Sequence, residues 1–242
     1  RRKPTREAAE IDTSIVEDAR PTTVVPPVPR VPKGSSNVPP APKGVVKKRT
    51  PKAKLNTAIA PDEDAYLGSY TSDGFHKFNS VLRHPQGYTS AEINAAERMR
   101  DSINDAIEKS TLASGGELYR GIRSREVFDA ADSSIVGSRI KIRTPQSTST
   151  SASVATNYAG LIKDPRKTGS YLSADNGTAV LYRVNAKKGA SALDVSKLDG
   201  IGRVGEGEML LPSGRDYVVT GVKELKDADG GTVAKIIEVD YE

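Results

Sequence analysis

Two glutamates separated by a single residue, Glu206 and Glu208, are the clearest indication of chemistry in this sequence. On a β-strand, residues i and i+2 project from the same face, so both carboxylates are expected to face one cleft. Like charges held this close raise the pKa of one carboxyl, an arrangement that does not favour stability. The apolar run Met209–Leu211, followed by Pro212, predicts a buried strand that anchors the pair.

An arginine on a second predicted strand is the next candidate. Arg120 follows the apolar Leu118 and precedes Gly121. A guanidinium binds phosphate groups through two parallel hydrogen bonds and keeps its charge while doing so. The same residue is also compatible with an ordinary surface arginine at a strand end, and Arg123 and Arg125 lie close by in the sequence.

A hydroxyl-rich run, Ser147–Ser149, lies between the arginine and the glutamates. A predicted strand, Arg139–Arg143, leads into it, and a helix-like stretch that begins near Val154 follows it. These neighbours argue against a low-complexity polar loop. The register stays open, because Ser149–Ser151 is a second, overlapping Ser-Thr-Ser triplet.

Composition excludes several other kinds of site. The chain has no cysteine and two histidines, which excludes disulfides, thiolate zinc sites and a cysteine nucleophile and leaves no His-rich metal site. No apolar run approaches the roughly 18 residues of a membrane span, and no signal peptide is expected. Residues 200–205 match Gly-x-Gly-x-x-Gly, but a predicted strand rather than a helix follows, which disfavours a dinucleotide-binding βαβ unit.

The first sixty residues differ from the remainder. They hold ten of the fifteen prolines, 13 Lys/Arg against 5 Asp/Glu, and no aromatic residue. Such a segment buries too little surface to offset its ordering entropy. We therefore predict a disordered Pro/Lys-rich tail or linker over 1–61 and one folded domain over 62–242. A solvated linker is favoured over an arm that docks on an acidic surface or nucleic acid.

Helices are predicted first in the domain and strands later. Acidic residues begin a helix near Asp62, and Phe75–Leu82 has amphipathic spacing. Thr89 or Ser90 is expected to cap a long helix. The predicted strands are Glu117–Ile122, Arg139–Arg143, Ala179–Val184, Met209–Leu211, Tyr217–Val222 and Val233–Tyr241. This order predicts an α+β fold with an antiparallel core.

The arginine, the Ser-Thr-Ser run and the Glu-x-Glu pair, in this order, resemble the R-S-E class of mono-ADP-ribosyltransferases. Tyr70–Arg83 also resembles the N-terminal helices of that family. The resemblance covers residues 62–242 and implies two packed, mainly antiparallel sheets flanked by N-terminal helices. These enzymes cleave NAD at its nicotinamide and pass ADP-ribose to a protein side chain.

The resemblance assigns a role to each candidate residue. Arg120 would hold the NAD phosphates, and the backbone at Gly121 would face the nicotinamide amide. Ser147 would orient Glu208, which would bind the ribose 2′-hydroxyl and stabilise the oxocarbenium cation. Glu206 would position and deprotonate the acceptor, and a glutamate there favours arginine. The full set expected to contact NAD is Arg120, Gly121, Ser147, Thr148, Ser149, Tyr158, Arg166 and Glu208.

The resemblance further implies a monomeric catalytic domain with NAD as substrate, no metal, no membrane partner, and an acceptor protein that presents arginine. It would act in a bacterial or host-cell cytoplasm, as a bacterial toxin or effector or a bacteriophage protein. Two other functions stay open: an NAD glycohydrolase that transfers to water, and a catalytically silent virion or secretion-complex module with the same fold. Nucleic acid also stays open as the acceptor.

Overall fold

The computed structural model describes residues 50–71, 75–174, 177–198 and 207–241. Its α-helices are α1 (Pro61–Thr71), α2 (Phe75–Arg83), α3 (Ser90–Glu108), α4 (Arg125–Ala130) and α5 (Ala152–Tyr158). Its strands are β1 (Lys52–Leu55), β2 (Ser110–Ser114), β3 (Gly116–Arg123), β4 (Arg139–Lys141), β5 (Gln146–Ser149), β6 (Leu161–Lys163), β7 (Tyr171–Ser173), β8 (Ala179–Ala186), β9 (Leu193–Asp194), β10 (Glu208–Leu211), β11 (Asp216–Lys226) and β12 (Thr232–Tyr241).

The long helix α3 begins where its sequence places a reciprocal cap. Thr89 is the N-cap residue, and its hydroxyl accepts a hydrogen bond from the backbone N–H of Glu92. The Glu92 carboxylate in turn accepts from the backbone N–H of Thr89. This capping box satisfies two N–H groups that the helix itself leaves unpaired. The apolar face of α3, with Ile103 and Ile107 fully buried, then packs on the rest of the domain.

The central sheet has eight strands in the order β4-β11-β12-β8-β3-β5-β10-β9. Its neighbours are antiparallel except for β12 and β8, which are parallel. Among the described residues, β3 and β5 pair only at Tyr119 and Ser149. This narrow connection divides the sheet into a five-stranded part, β4 to β3, and a three-stranded part, β5 to β9.

The two parts of the sheet enclose the larger apolar core. It joins Leu118 and Val184 of the five-stranded part to Met209 and Leu211 of the three-stranded part. Leu210, between these last two, faces the opposite way and packs in a second cluster with residues of α1, α2 and α3. Since successive side chains of a strand alternate between faces, β10 is buried on both sides. The strand that begins at Glu208 is therefore held firmly.

The α+β class, the mainly antiparallel sheets and the N-terminal position of the helices are confirmed by this architecture. The end of the predicted tail differs, however. Residues Lys52–Leu55 form β1, which pairs antiparallel with β2. Its Lys-Ala-Lys-Leu sequence alternates polar and apolar residues, but four residues beside a basic, proline-rich segment are the shortest run that can indicate a strand. Residues 1–49, to which most of the predicted disorder applies, lie outside the described residues.

Candidate active site

A hydrogen bond between two neighbouring strands forms the centre of the candidate site. The Ser147 hydroxyl on β5 donates to Oε1 of Glu208 on β10, at 2.6 Å. The strands pair with Ser149 opposite Glu208 and Ser147 opposite Leu210, so the bond runs diagonally across the ladder. Both side chains are half-buried. The serine therefore fixes the orientation of a carboxylate that solvent and small molecules can reach.

The other two hydroxyls of the run have different contacts. Thr148 projects from the opposite face of β5, and its hydroxyl donates to the carbonyl oxygen of Met209 at 2.8 Å. The Ser149 hydroxyl accepts from the backbone N–H of Ser151 at 2.9 Å, in the turn before α5. Thr148 and Ser149 are both buried. Of the two overlapping triplets, the one that begins at Ser147 thus supplies the contact to the carboxylate.

Arg120 reaches the same strand from β3. Its Nη1 donates to the carbonyl oxygen of Ser147 at 2.7 Å. The contact joins β3 and β5 beyond their single paired position, Tyr119 with Ser149. Burial lowers the pKa of Arg120, whereas Tyr217, Tyr182 and, more weakly, the negative charge of Glu208 raise it. Arg120 and Glu208 are therefore close enough to act on one ligand.

Gly121 is required by packing. A Cβ on this residue would lie 1.8 Å from the carbonyl oxygen of Ala155 and 2.8 Å from the backbone nitrogen of Ala159. No side chain other than hydrogen fits there, because α5 lies directly against β3. On the face of β3 to which a Gly121 side chain would point, the space is filled by the backbone of α5 and not left open for nicotinamide. Its predicted contact with nicotinamide through the backbone stays a prediction.

The predicted alignment of the two glutamates on one strand face stays a prediction, because Glu206 lies outside the described residues. Strand β10 begins at Glu208, and Gly207 has a positive φ of 56°. The backbone at Gly207 therefore departs from strand geometry directly before β10. A Cβ at Gly207 would also lie 2.3 Å from the Thr150 hydroxyl oxygen. Glu206 and the glycine-rich residues 200–205 lie outside the described residues.

Tyr158 and Arg166, the two remaining predicted contacts to NAD, lie in the segment after β5. Tyr158 ends α5 and is exposed. Arg166 lies between β6 and β7, and its guanidinium binds the buried carboxylate of Asp164 and, at 3.1 Å, that of Asp229. Arg166 is thus engaged by two carboxylates rather than directed to the cluster around Glu208.

Two residues of the helices support the site and were not among the predicted site residues. The Tyr70 hydroxyl donates to the carbonyl oxygen of Pro145 at 2.5 Å, and Arg83 donates to the Thr144 hydroxyl at 3.2 Å. Both contacts hold the segment that enters β5. Burial raises the pKa of Tyr70 to about 12, and the nearby charge of Glu208 contributes to the increase. The signal was the similarity of residues 70–83 to the helices of the transferase family.

Two kinds of feature are absent from the described part of the chain: a metal-ligand group and a membrane-spanning helix. No group of three or more His, Cys, Asp or Glu side chains there is arranged to hold a metal ion. None of the helices in the described ranges has the length and apolar character of a membrane span.

Comparison with known proteins gives a consistent result for the family. The sequence matches the family described as ADP-ribosyltransferase exoenzyme over residues 47–240. No curated protein sequence matches the chain.

Several solved structures share the fold. Plx2a, an ADP-ribosyltransferase toxin from Paenibacillus larvae, is 20% identical with a TM-score of 0.56, over 76% of this chain and 87% of that one. Vis, an ADP-ribosyltransferase from Vibrio splendidus solved in complex with agmatine, is 17% identical with a TM-score of 0.54, over 78% and 77% of the two chains. C3stau2 from S. aureus, solved with NAD, is 13% identical with a TM-score of 0.50, over 76% and 87%.

Proposed function

We propose an arginine-directed activity for this chain, which belongs to the ADP-ribosyltransferase exoenzyme family. Membership of the family establishes the class of reaction, which is the transfer of ADP-ribose from NAD, and NAD is the substrate. The proposal concerns the finer points: the residues that act in this chain and the group that accepts the ADP-ribose.

The hydrogen bond from Ser147 to Glu208, with Arg120 bonded to the same strand, is the observation that carries the proposal. It combines a cation suited to the NAD diphosphate with an oriented carboxylate suited to the ribose. Arg120 binds the phosphates, and the backbone of Gly121 contacts the nicotinamide amide. Ser147 orients Glu208, which accepts a hydrogen bond from the ribose 2′-hydroxyl.

The chemistry follows from the charge that develops on the ribose. When the bond between ribose C1′ and the nicotinamide nitrogen breaks, its electron pair leaves with nicotinamide and the ribose becomes an oxocarbenium cation. Glu208 stabilises this cation, as a carboxylate does in glycoside hydrolysis. A guanidine nitrogen of the acceptor then forms the new bond to C1′, and Glu206 takes the proton that this nitrogen loses.

Two observations support arginine as the acceptor. The first is a glutamate at position 206, since the family resemblance associates that residue with guanidine acceptors. The second is the similar fold of Vis, which was solved with agmatine, a small molecule that carries a guanidinium group as arginine does. The protein that presents this arginine would be recognised outside the cluster of Arg120, Ser147 and Glu208.

The remaining predicted contacts complete the proposal. Thr148 and Ser149 hold β5 in place, and Tyr158 and Arg166 approach the nicotinamide and phosphates from the segment after α5. The basic residues of 1–60 are a linker or a contact for an acidic surface or nucleic acid. The catalytic domain acts as a monomer in a bacterial or host-cell cytoplasm.

Parallel assays of two glutamate variants test the proposal. Nicotinamide release and labelling of a guanidine acceptor, such as agmatine or lysate protein, are measured with labelled NAD for the wild type, Glu208→Gln and Glu206→Gln. Glu208→Gln is expected to lose both activities by on the order of 100-fold or more, because the cation forms whichever acceptor is used. Glu206→Gln is expected to lose labelling and to keep slow hydrolysis of NAD.

Each other result identifies a different function. Nicotinamide release by the wild type with no labelled acceptor identifies a glycohydrolase, and labelled nucleic acid identifies a different acceptor class. Binding of NAD without turnover identifies a silent module. Equal loss of both activities in the two variants contradicts the separate roles of Glu206 and Glu208.

A further inference from the structure

A buried tyrosine hydroxyl beside the candidate site has no evident structural use. Tyr217, near the start of β11, is 3% exposed and lies in the larger apolar core. Its hydroxyl has no hydrogen-bond partner among the residues that the structure describes. A buried, unpaired hydroxyl destabilises the folded state, and phenylalanine would fill the same space without that cost. A role other than stability is therefore expected for this hydroxyl.

The Tyr217 ring packs beside the cross-strand partner of Arg120. Tyr182 lies directly opposite Arg120 in the pairing of β3 with β8, and its ring centroid is 6.2 Å from that of Tyr217. Burial raises the pKa of Tyr217, and the positive charge of Arg120 is the strongest effect in the opposite direction. The hydroxyl thus lies in the field of a cation that is itself partly removed from water.

We propose that Tyr217 is a positioning residue for Arg120, whose guanidinium it holds at the edge of β5 through the dipole of its hydroxyl. The hydrogen bond from Nη1 to the Ser147 carbonyl fixes the guanidinium on the other side. A cation restrained from two sides keeps its planar fork aimed at an incoming anion. The identity of that anion as the NAD diphosphate rests on the proposed function.

A second tyrosine of the same cluster provides a matched control. The ring of Tyr241 lies 6.1 Å from that of Tyr217, and Tyr241 is equally well buried. Its hydroxyl, however, donates to the carbonyl oxygen of Ser191 at 3.0 Å. Removing either hydroxyl changes the core by one oxygen atom, but of the two only the Tyr217 hydroxyl lacks a hydrogen-bond partner among the described residues.

The test compares Tyr217→Phe with Tyr241→Phe. In Tyr217→Phe the KM for NAD is expected to rise about three- to tenfold with a smaller change in kcat, because ground-state binding of the phosphates weakens. Its Tm is expected to equal or exceed that of the wild type, because an unpaired hydroxyl has been removed. Tyr241→Phe should show the reverse: a lower Tm and an unchanged KM.

A readout without NAD separates this inference from the proposed function. The Nε–Hε NMR signal of Arg120, assigned with Arg120→Lys, should shift or broaden in Tyr217→Phe and stay unchanged in Tyr241→Phe. If the wild type neither binds nor cleaves NAD, the proposed function fails and this signal still decides the role of Tyr217. An unchanged Arg120 signal in Tyr217→Phe overturns the proposal, as does an unchanged KM in an active enzyme.

Discussion

At the scale of single residues, the site depends on a serine that orients a carboxylate. Removing the Ser147 hydroxyl removes the hydrogen bond to the Glu208 carboxylate, and with it the orientation that we propose for ribose binding. Hydrogen bonds to charged groups contribute about 1.5–3 kcal/mol, so Ser147→Ala is expected to lower the kcat of nicotinamide release by about 10- to 100-fold. Steady-state nicotinamide release measures the effect.

Ser149→Ala is the control for this prediction, since its hydroxyl accepts from the Ser151 backbone in the turn before α5. Its effect on kcat should be smaller than that of Ser147→Ala, and its effect on Tm larger. A larger loss of kcat in Ser149→Ala would assign the orienting role to the second, overlapping triplet.

At the scale of secondary-structure elements, the sequence predicts those helices and strands that local residue spacing and capping produce. Helix α3 follows from its apolar spacing and from the pairing of Thr89 with Glu92. Strand β10 follows from an uninterrupted apolar run. By contrast, the polar–apolar alternation of β1 covers only four residues and is not recognised, and the positive φ at Gly207 is not predicted.

The site follows the same rule. The family motif identifies Arg120, Ser147 and Glu208, and the structure brings these three residues together. The contact of Arg166 with Asp229 could not be predicted, because the two residues are 63 positions apart in the chain. Only the folded topology brings the segment between β6 and β7 against the turn between β11 and β12.

This contact between two turns gives a prediction for pH. Hydrogen bonds from Arg166 lower the pKa of Asp164 from its ordinary value of 3.8 to about 2. A carboxyl whose pKa is lower in the folded state stabilises that state above its unfolded pKa and loses the contribution as pH falls through the folded value. The Tm difference between the wild type and Asp164→Asn should therefore be full at about pH 6 and should shrink between about pH 4 and pH 2.

Asp229→Asn is the matched control for Asp164→Asn. The Asp229 carboxylate is 75% exposed, whereas that of Asp164 is fully buried. Exposed ion pairs contribute little to stability, so Asp229→Asn should change Tm much less. A Tm difference for Asp164→Asn that does not depend on pH in this range would contradict an ionised Asp164 as the source of the stabilisation.

At the scale of the whole molecule, the charge and the fold divide the chain at different places. The basic, proline-rich composition extends to residue 60, but Pro51 is already buried and Lys52–Leu55 already pair with β2. The match to the transferase family begins at residue 47, close to this second limit. The domain therefore includes a short piece of chain whose composition resembles the tail.

Three chain lengths test where the domain begins: the full chain, residues 50–242 and residues 62–242. Removing 1–49 is expected to leave Tm and nicotinamide release unchanged. Removing 50–61 as well deletes the pairing of β1 with β2, the bond from the Ser110 hydroxyl to the Lys54 carbonyl, and the packing of Ile59 on the helices. Each backbone hydrogen bond contributes about 1 kcal/mol, so Tm should fall by at least about 4 °C. Nicotinamide release at low temperature should persist, because β3, β5 and β10 stay intact.

Equal Tm for the two shortened chains would show that β1 adds no stability. A lower Tm for 50–242 than for the full chain would show that residues 1–49 pack on the domain.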